Sequence, residues 1–121
     1  MLDTEQTILS NGMELNVERG EYLFRRRQEA DYVFYVKGGT LELTGDEQQP
    51  HVLDHRACFL GLEEVLLDHC HRYDARALDH SVVLVFDKLL INALLSGSAR
   101  VHRYFLYKMC DRLAQKGRGF E

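Results

Sequence analysis

The sequence contains few cysteines, little proline and glycine, and no long hydrophobic run, and each shortage excludes a class of protein. Nine glycines, one proline and three cysteines in 121 residues exclude collagen-like, disordered and disulfide-scaffold chains. No apolar run approaches the ~18 residues of a membrane span, and the acidic start of the chain differs from a secretory signal. Cysteines without a Cys-x-x-Cys pair favour reduced thiols. We therefore expect one domain over residues 1–121, cytoplasmic and not associated with a membrane.

Charge is unevenly distributed along the chain. Residues 1–96 carry a net charge of −8, whereas residues 97–121 carry +4. The simplest interpretation is that residues 97–121 form a helix with a solvated basic face, which complements the acidic residues 1–96. A nucleic-acid surface needs clustered basic residues on a positive protein, and this chain has a net charge of −4. We therefore expect no direct DNA binding.

Apolar and β-branched segments predict strands over the first three quarters of the chain. The predicted strands cover residues 22–26, 31–36, 40–44, 51–53, 73–78 and 81–86. Turn signals separate them about every ten residues, which is typical of an all-β sandwich or barrel. We expect residues 40–44 to form a hairpin with residues 51–53, and residues 73–78 to pair with residues 81–86.

The last quarter of the chain changes to helical periodicity. Asp87 predicts the cap of a short helix over residues 88–95, and residues 99–115 predict a longer helix. Apolar residues recur on the longer helix every four positions, and they predict a face that packs on the barrel or on the same helix of a second copy. These residues are Val101, Phe105, Met109 and Leu113. We expect Tyr104 and Tyr107 to pack on the barrel rather than on a ligand.

Several segments follow one another in an order and spacing that resemble a known family. They are Gly20-Glu21-Tyr22-Leu23-Phe24, Ala30-Asp31-Tyr32-Val33-Phe34-Tyr35-Val36, Gly39 before Leu41, the run Phe59 to Leu67, and Arg76-Ala77. Over residues 14–115 the chain resembles the cyclic nucleotide-binding domain of the catabolite activator protein (Crp/Fnr) superfamily. The resemblance implies a double-stranded β-helix, or jelly roll, over residues 14–86, followed by C-terminal helices over residues 87–116. Arg27 departs from the family, which usually has a turn glycine there.

The same resemblance implies a ligand site in the run from Phe59 to Leu67, which is similar to the family's phosphate-binding cassette. In the family an arginine and backbone N–H groups hold a cyclic phosphate, and a glutamate after the cassette glycine accepts a ribose hydroxyl. Leu62 occupies that glutamate's position here and accepts no hydrogen bond. The candidate ligand-binding residues are Gly61, Leu62, Glu63, Glu64, Arg72 and Tyr73.

Two alignments compete for the arginine position. Counting forward from Gly61 places Arg72 there and Tyr73 at the adjacent Ser/Thr position, whereas counting back from Ala77 places His71 there and Arg72 at the Ser/Thr position. The two glutamates after Leu62 do not replace the lost carboxylate, because each helical position rotates the side chain by about 100°. They are expected at a helix N-terminus, which favours negative charge.

The segment His69-Cys70-His71 has side chains that bind zinc or haem iron. The remaining histidines lack the spacing of a metal site, which needs three or four ligands. The segment is therefore interpreted as a polar hairpin tip with two solvated histidines, and we expect no metal and no cofactor. No catalytic set can be assembled from the spacing.

These observations predict a non-enzymatic regulatory or sensor module with a degenerate cassette. Arg72 would bind a small anionic ligand, if the domain binds one, and the long helix would form a homodimer. The chain is expected to lack a helix-turn-helix half. Two alternatives stay open: a module that binds a protein partner and has a filled ancestral pocket, and a true cyclic AMP or cyclic GMP domain.

Overall fold

Eight short strands and four helices form the part of the chain that the computed structural model describes, which comprises residues 2–46, 49–53 and 58–108. In chain order they are α1 (Leu2–Leu9), β1 (Met13–Val17), β2 (Tyr22–Phe24), β3 (Tyr32–Gly38), β4 (Leu41–Thr44), β5 (His51–Leu53), β6 (Cys58–Leu60), α2 (Leu62–Leu67), β7 (Asp74–Ala77), β8 (Ser81–Asp87), α3 (Lys88–Gly97) and α4, described over residues 99–108.

The strands form two four-stranded antiparallel sheets, in the orders β1-β8-β3-β6 and β2-β7-β4-β5. The predicted fold class, mainly β with C-terminal helices in a jelly-roll arrangement, is confirmed. The predicted hairpin of residues 40–44 and 51–53 is also confirmed, because β4 pairs with β5 from Leu41 opposite Leu53 to Leu43 opposite His51.

The predicted pairing of residues 73–78 with residues 81–86 is wrong, because the chain changes sheets between these strands. β7 lies between β2 and β4, whereas β8 lies between β1 and β3 of the other sheet. Asp79 stabilises the corner, since its Oδ1 accepts a hydrogen bond from the Thr40 backbone N–H at 2.9 Å. Gly39 (φ +104°) allows the close approach there, because a Cβ at this position would lie 2.5 Å from the Ser81 Cα.

Strand β3 is buried on both faces, which explains its unbroken apolar sequence. Side chains alternate along a strand, so Val33 and Tyr35 pack into one core and Phe34 and Val36 into the other. The first core lies between the β1-β8-β3-β6 sheet and the helices, all four of which contribute side chains to it. The second core lies between the two sheets.

Helix α3 begins where the sequence predicts, and it continues two residues past the predicted end. The Asp87 carboxylate accepts a hydrogen bond from the Leu90 backbone N–H at 2.7 Å, which is an N-cap interaction. The helix ends at Gly97. At the start of α4 the Ser98 hydroxyl accepts hydrogen bonds from the backbone N–H groups of Arg100 and Val101 at 3.2 and 3.4 Å.

Helix α4 packs on the barrel of its own chain. Val101, Tyr104 and Phe105 are buried, and the Phe105 ring lies edge-on to Phe59 with ring centroids 5.6 Å apart. The apolar stripe was predicted to pack either on the barrel or on a second copy of the chain. Its first half, Val101 and Phe105, packs on the barrel. Met109 and Leu113 lie outside the described residues, and dimerisation through the stripe stays a prediction. Tyr107 is exposed, contrary to the expectation that it packs on the barrel.

The sequence patterns did not identify α1, although it joins the first core through Ile8. In α1 the Glu5 carboxylate accepts a hydrogen bond from the Tyr104 hydroxyl at 2.5 Å. Burial, with Glu5 as the second cause, raises the pKa of Tyr104 well above its ordinary value. Strand β1, also not identified, has an alternating sequence that is typical of an edge strand.

Candidate ligand-binding site

The cassette begins at Gly61, between β6 and α2. Gly61 has φ +83°, in the left-handed region that favours glycine. A Cβ at this position would lie 3.1 Å from the His71 Cε1 and 3.2 Å from the Tyr32 carbonyl oxygen. Glycine therefore lets the cassette backbone lie directly against the His71 ring.

The segment that enters β7 presents alternate side chains to the interior. His71, Ala75 and Ala77 are buried, and Tyr73 between them is partly buried. Arg72, next to His71, is exposed. The alignment counted back from Ala77 therefore gives the inward residue, which is His71.

Aromatic packing fills the space around His71. Its ring stacks on Phe24 with centroids 3.8 Å apart and planes inclined by 11°. Phe24 also contacts Tyr73 at 5.4 Å and Phe34 at 5.7 Å between ring centroids. The His71 backbone N–H donates to the Gln28 carbonyl at 2.8 Å. These contacts hold His71 against the wall formed by β2, and the expectation that both histidines of this segment are solvated is wrong for His71.

Glu64 lies in the first turn of α2, as the sequence predicts, and its side chain is buried inside the cassette. Only 2% of its surface is exposed, and 4% of that of His71. Its Oε2 lies 4.0 Å from the His71 Nδ1, which is too long for a hydrogen bond. Neither atom has a hydrogen-bond partner among the described residues. A buried polar group left unpaired costs about 1–3 kcal/mol of folding free energy.

Burial also affects the charge of His71. It lowers the pKa of His71 below its ordinary value of 6.5, although the nearby Asp31 carboxylate acts in the opposite direction. The imidazole is therefore neutral at pH 7. The interior of the cassette therefore contains a carboxyl side chain and a neutral ring.

The cassette brings together only part of the predicted site. Gly61, Leu62 and Glu64 are buried within it, and Leu62 belongs to the same core as the helices. Glu63 is partly buried. The predicted set omitted His71, although the alignment from Ala77 pointed to it.

Arg27 lies in the turn between β2 and β3, at the position where the sequence resemblance implies a glycine. Arg27 has φ +69°, the left-handed conformation that a turn glycine adopts freely. Its backbone N–H donates to the His71 carbonyl at 2.8 Å, and its guanidinium lies 3.5 Å from the Asp46 carboxylate. The strained turn therefore contacts the same segment that carries His71.

The described residues contain no group of three or more His, Cys, Asp or Glu side chains that could hold a metal ion. His69 and Cys70 are exposed, so only one histidine of the segment points toward the cassette. Among the helices of residues 2–46, 49–53 and 58–108, none combines the length and hydropathy needed to cross a membrane.

Comparison with known proteins identifies the family of the chain. The family model of the cyclic nucleotide-binding domain matches residues 14–102, and the chain therefore belongs to that family. No curated protein matches the chain.

Solved structures of bacterial regulators share the fold. CLP, a c-di-GMP-responsive global regulator of Xanthomonas campestris, superposes with a TM-score of 0.80 at 15% identity, over 96% of this chain and 59% of CLP. The catabolite activator protein of Thermus thermophilus gives 0.79 at 16% identity, over 99% of this chain and 58% of that one. A third structure belongs to a cyclic-GMP-dependent signalling pathway that regulates bacterial phytopathogenesis. It superposes with a TM-score of 0.79 at 23% identity, over 95% of this chain and 95% of that one. The chain thus spans about three fifths of the first two.

Proposed function

We propose that this domain is a non-enzymatic regulatory module whose cassette does not recognise a cyclic phosphate and whose output passes through contacts with a protein partner. The family and the fold support a regulatory role, since the similar structures include CLP, described as a global regulator. The module needs no cofactor, and it acts in the cytoplasm.

The stack of His71 on Phe24 is the observation that carries this proposal. The two ring centroids are 3.8 Å apart, so the residue at the family's arginine position is already packed inside the domain. A cyclic phosphate needs a permanent positive charge with N–H donors in a fork. A buried neutral imidazole supplies one donor at most and no charge at neutral pH.

The side chains after Gly61 also disfavour a nucleotide. Leu62 has no acceptor for a ribose hydroxyl, and it is 2% exposed. Glu64 places a carboxyl group inside the cassette, where a nearby anion would be repelled and both charges would lose hydration. The ancestral pocket is therefore filled by the chain's own side chains, which favours recognition at the surface.

Direct titration with cyclic nucleotides tests the proposal. Calorimetry of the purified chain with cyclic AMP and cyclic GMP is expected to give no saturable heat. The variant Leu62→Glu/His71→Arg restores both family groups, and it is expected to gain binding if it folds. Saturable, stoichiometric uptake by the wild-type chain would contradict the proposal whatever the variant does.

A sensor of small anions is the second candidate, and one observation favours it. Arg72 is exposed, and no ion pair or hydrogen bond of its side chain occurs among the described residues. Phosphate or citrate would then raise the melting temperature by mass action. The shift would disappear in Arg72→Ala and persist in Arg103→Ala, an exposed arginine on α4. Flat melting curves with both anions would remove this candidate.

A second copy of the chain is the proposed partner at α4. Leu106 and Tyr107 are exposed there, while Val101 is buried on the barrel. Leu106 shares helical spacing with Met109 and Leu113 of the predicted stripe, so these apolar residues would form one face. Light scattering behind a size-exclusion column measures the mass, and a monomer at tens of micromolar would contradict dimerisation.

A further inference from the structure

Two ionisable side chains are buried together in the cassette, and neither completes its hydrogen bonds. The Glu64 Oε2 and the His71 Nδ1 are 4.0 Å apart and have no partner among the described residues. Each side chain is more than nine-tenths buried. Buried polar atoms are nearly always paired in folded proteins. A pair of unsatisfied atoms that face each other therefore indicates a function.

One proton would satisfy both atoms at once. A neutral imidazole has a donor on only one ring nitrogen, whereas a protonated imidazole has donors on both, so in the protonated form the Nδ1–H donates to the Glu64 carboxyl group whichever tautomer the neutral ring adopts. The proton comes from solvent and binds the imidazole. The product is an imidazolium–carboxylate pair, and no other covalent bond forms or breaks. Charge-assisted N–H···O bonds of this type are about 2.7–2.9 Å long, so closing the 4.0 Å gap moves the two side chains together by about 1 Å.

We propose that Glu64 and His71 form a proton-binding site that changes the position of the cassette when the pH falls. The proposal rests on the proposed function, because it describes regulation of the same cassette. A proton needs no open pocket, so the site works although aromatic side chains fill the interior.

The charged groups around His71 agree with uptake of one proton. Glu64 faces it from α2, and Asp31 acts on it from the residue before β3. Arg27, in the turn between β2 and β3, donates its backbone N–H to the His71 carbonyl. Its guanidinium lies near the Asp46 carboxylate. Phe24 of β2 contributes an uncharged ring.

The remaining charged groups near these elements have partners of their own. Lys88 donates its backbone N–H to the Asp31 carbonyl and pairs its side chain with Asp68. His69, on the loop after α2, is exposed, and its backbone N–H donates to the Glu64 carbonyl at 2.8 Å. Among the described residues, the charged groups nearest to His71 are therefore the carboxyl groups of Glu64 and Asp31, and the Lys88 charge acts on Asp31.

The sign of the pH effect follows from burial. Burial lowers the pKa of His71 below 6.5, so the unfolded chain binds the proton first as the pH falls. The stability that a neutral His71 contributes is complete above pH 6.5 and decreases below it. The ratio of folded to unfolded chain therefore falls by up to tenfold per pH unit, until the folded protein also takes up the proton and the pair closes.

The cassette backbone would report this closure. A Cβ on Gly61 would lie 3.1 Å from the His71 Cε1, so the ring touches the residue that caps α2. The Val65 N–H donates to the Gly61 carbonyl at 3.0 Å, and Glu64 lies between them on the same helix. A 1 Å approach of the two side chains therefore displaces either the ring or the first turn of α2.

NMR titration of the free protein from pH 8 to pH 4 tests the site. The His71 ring is expected to titrate below pH 6.5, together with shifts of the backbone amides of residues 61–65. In Glu64→Gln the carboxylate that stabilises the imidazolium is lost, so the His71 titration moves to lower pH and the amide shifts shrink. A His71 titration at or above pH 6.5, or one unchanged in Glu64→Gln, would overturn the proposal.

Unfolding in urea between pH 7.5 and pH 5 supplies the second measurement. His71→Gln is expected to remove the His71 part of the pH dependence, whereas the matched control His69→Gln, an exposed histidine two residues away, keeps it. Equal pH dependence in wild type and His71→Gln would overturn the proposal. If His71→Gln does not fold, the NMR titrations of wild type and Glu64→Gln still decide. Uptake of cyclic nucleotide by the wild-type chain would contradict the proposed function without changing either titration.

Discussion

Replacing Arg27 with glycine and with alanine measures how much strain the turn before β3 stores. Arg27 has φ +69°, and the Cβ of a non-glycine residue costs about 1–2 kcal/mol in this conformation. Glycine removes that cost, but it loses about 0.4–1 kcal/mol more unfolded-state entropy than alanine. We therefore expect Arg27→Gly to be more stable than Arg27→Ala by about 0.5–1 kcal/mol.

The arginine side chain itself contributes little to this comparison. It is largely exposed, and its pair with Asp46 spans 3.5 Å, a type of surface ion pair worth about 0–1 kcal/mol. Both variants lose that pair equally, so their difference isolates the Cβ. For a domain of this size the expected difference corresponds to about 2–4 °C in melting temperature.

Chemical unfolding by urea, followed by circular dichroism, gives both free energies. The control is the same pair of substitutions at Arg103, which is exposed on α4. There alanine is expected to be more stable than glycine by about 1 kcal/mol, so the order reverses between the two sites. If alanine equals or exceeds glycine at position 27, the turn is not strained and the argument fails.

Two further substitutions test the core and the corner. Phe105→Ala should cost about 3–5 kcal/mol, because Phe105 is 1% exposed. The control Leu89→Ala, on α3 at 81% exposure, should change stability by no more than about 0.5 kcal/mol; similar losses in urea titrations would mean that α4 does not pack as described. Gly39→Ala places a Cβ 2.5 Å from the Ser81 Cα and should cost more than about 2 kcal/mol, so a melting temperature within 2 °C of wild type would refute the close approach.

Local patterns predicted those elements whose signals lie within a few residues. The unbroken apolar run of β3 and the cap of α3 at Asp87 are of this kind, and both occur where expected. The pairing of β7 and β8 was not predictable from periodicity, because alternation shows that a segment is extended but not which sheet it joins. The corner depends on Asp79 and Gly39, which are distant in sequence.

The candidate site was harder to predict, because a shift of one residue exchanges its inner and outer faces. Two alignments differing by one position made either His71 or Arg72 the inward residue, and the burial of His71 and exposure of Arg72 in the structure separate them. The burial of Glu64 was not predictable for another reason. Charge near a helix N-terminus usually faces solvent, and here packing of the helix against the barrel overrides that preference.

The hydrogen bond between Glu5 and Tyr104 joins α1 to α4 through two residues that are 99 positions apart in sequence. The family match begins only at residue 14, yet Ile8 and Glu5 complete the first core and its polar edge. A fragment that begins at residue 14 and keeps α4 would leave the Tyr104 hydroxyl without its acceptor and expose the apolar residues that Ile8 covers. The physical boundary of the folding unit therefore lies before the first residue that sequence similarity detects.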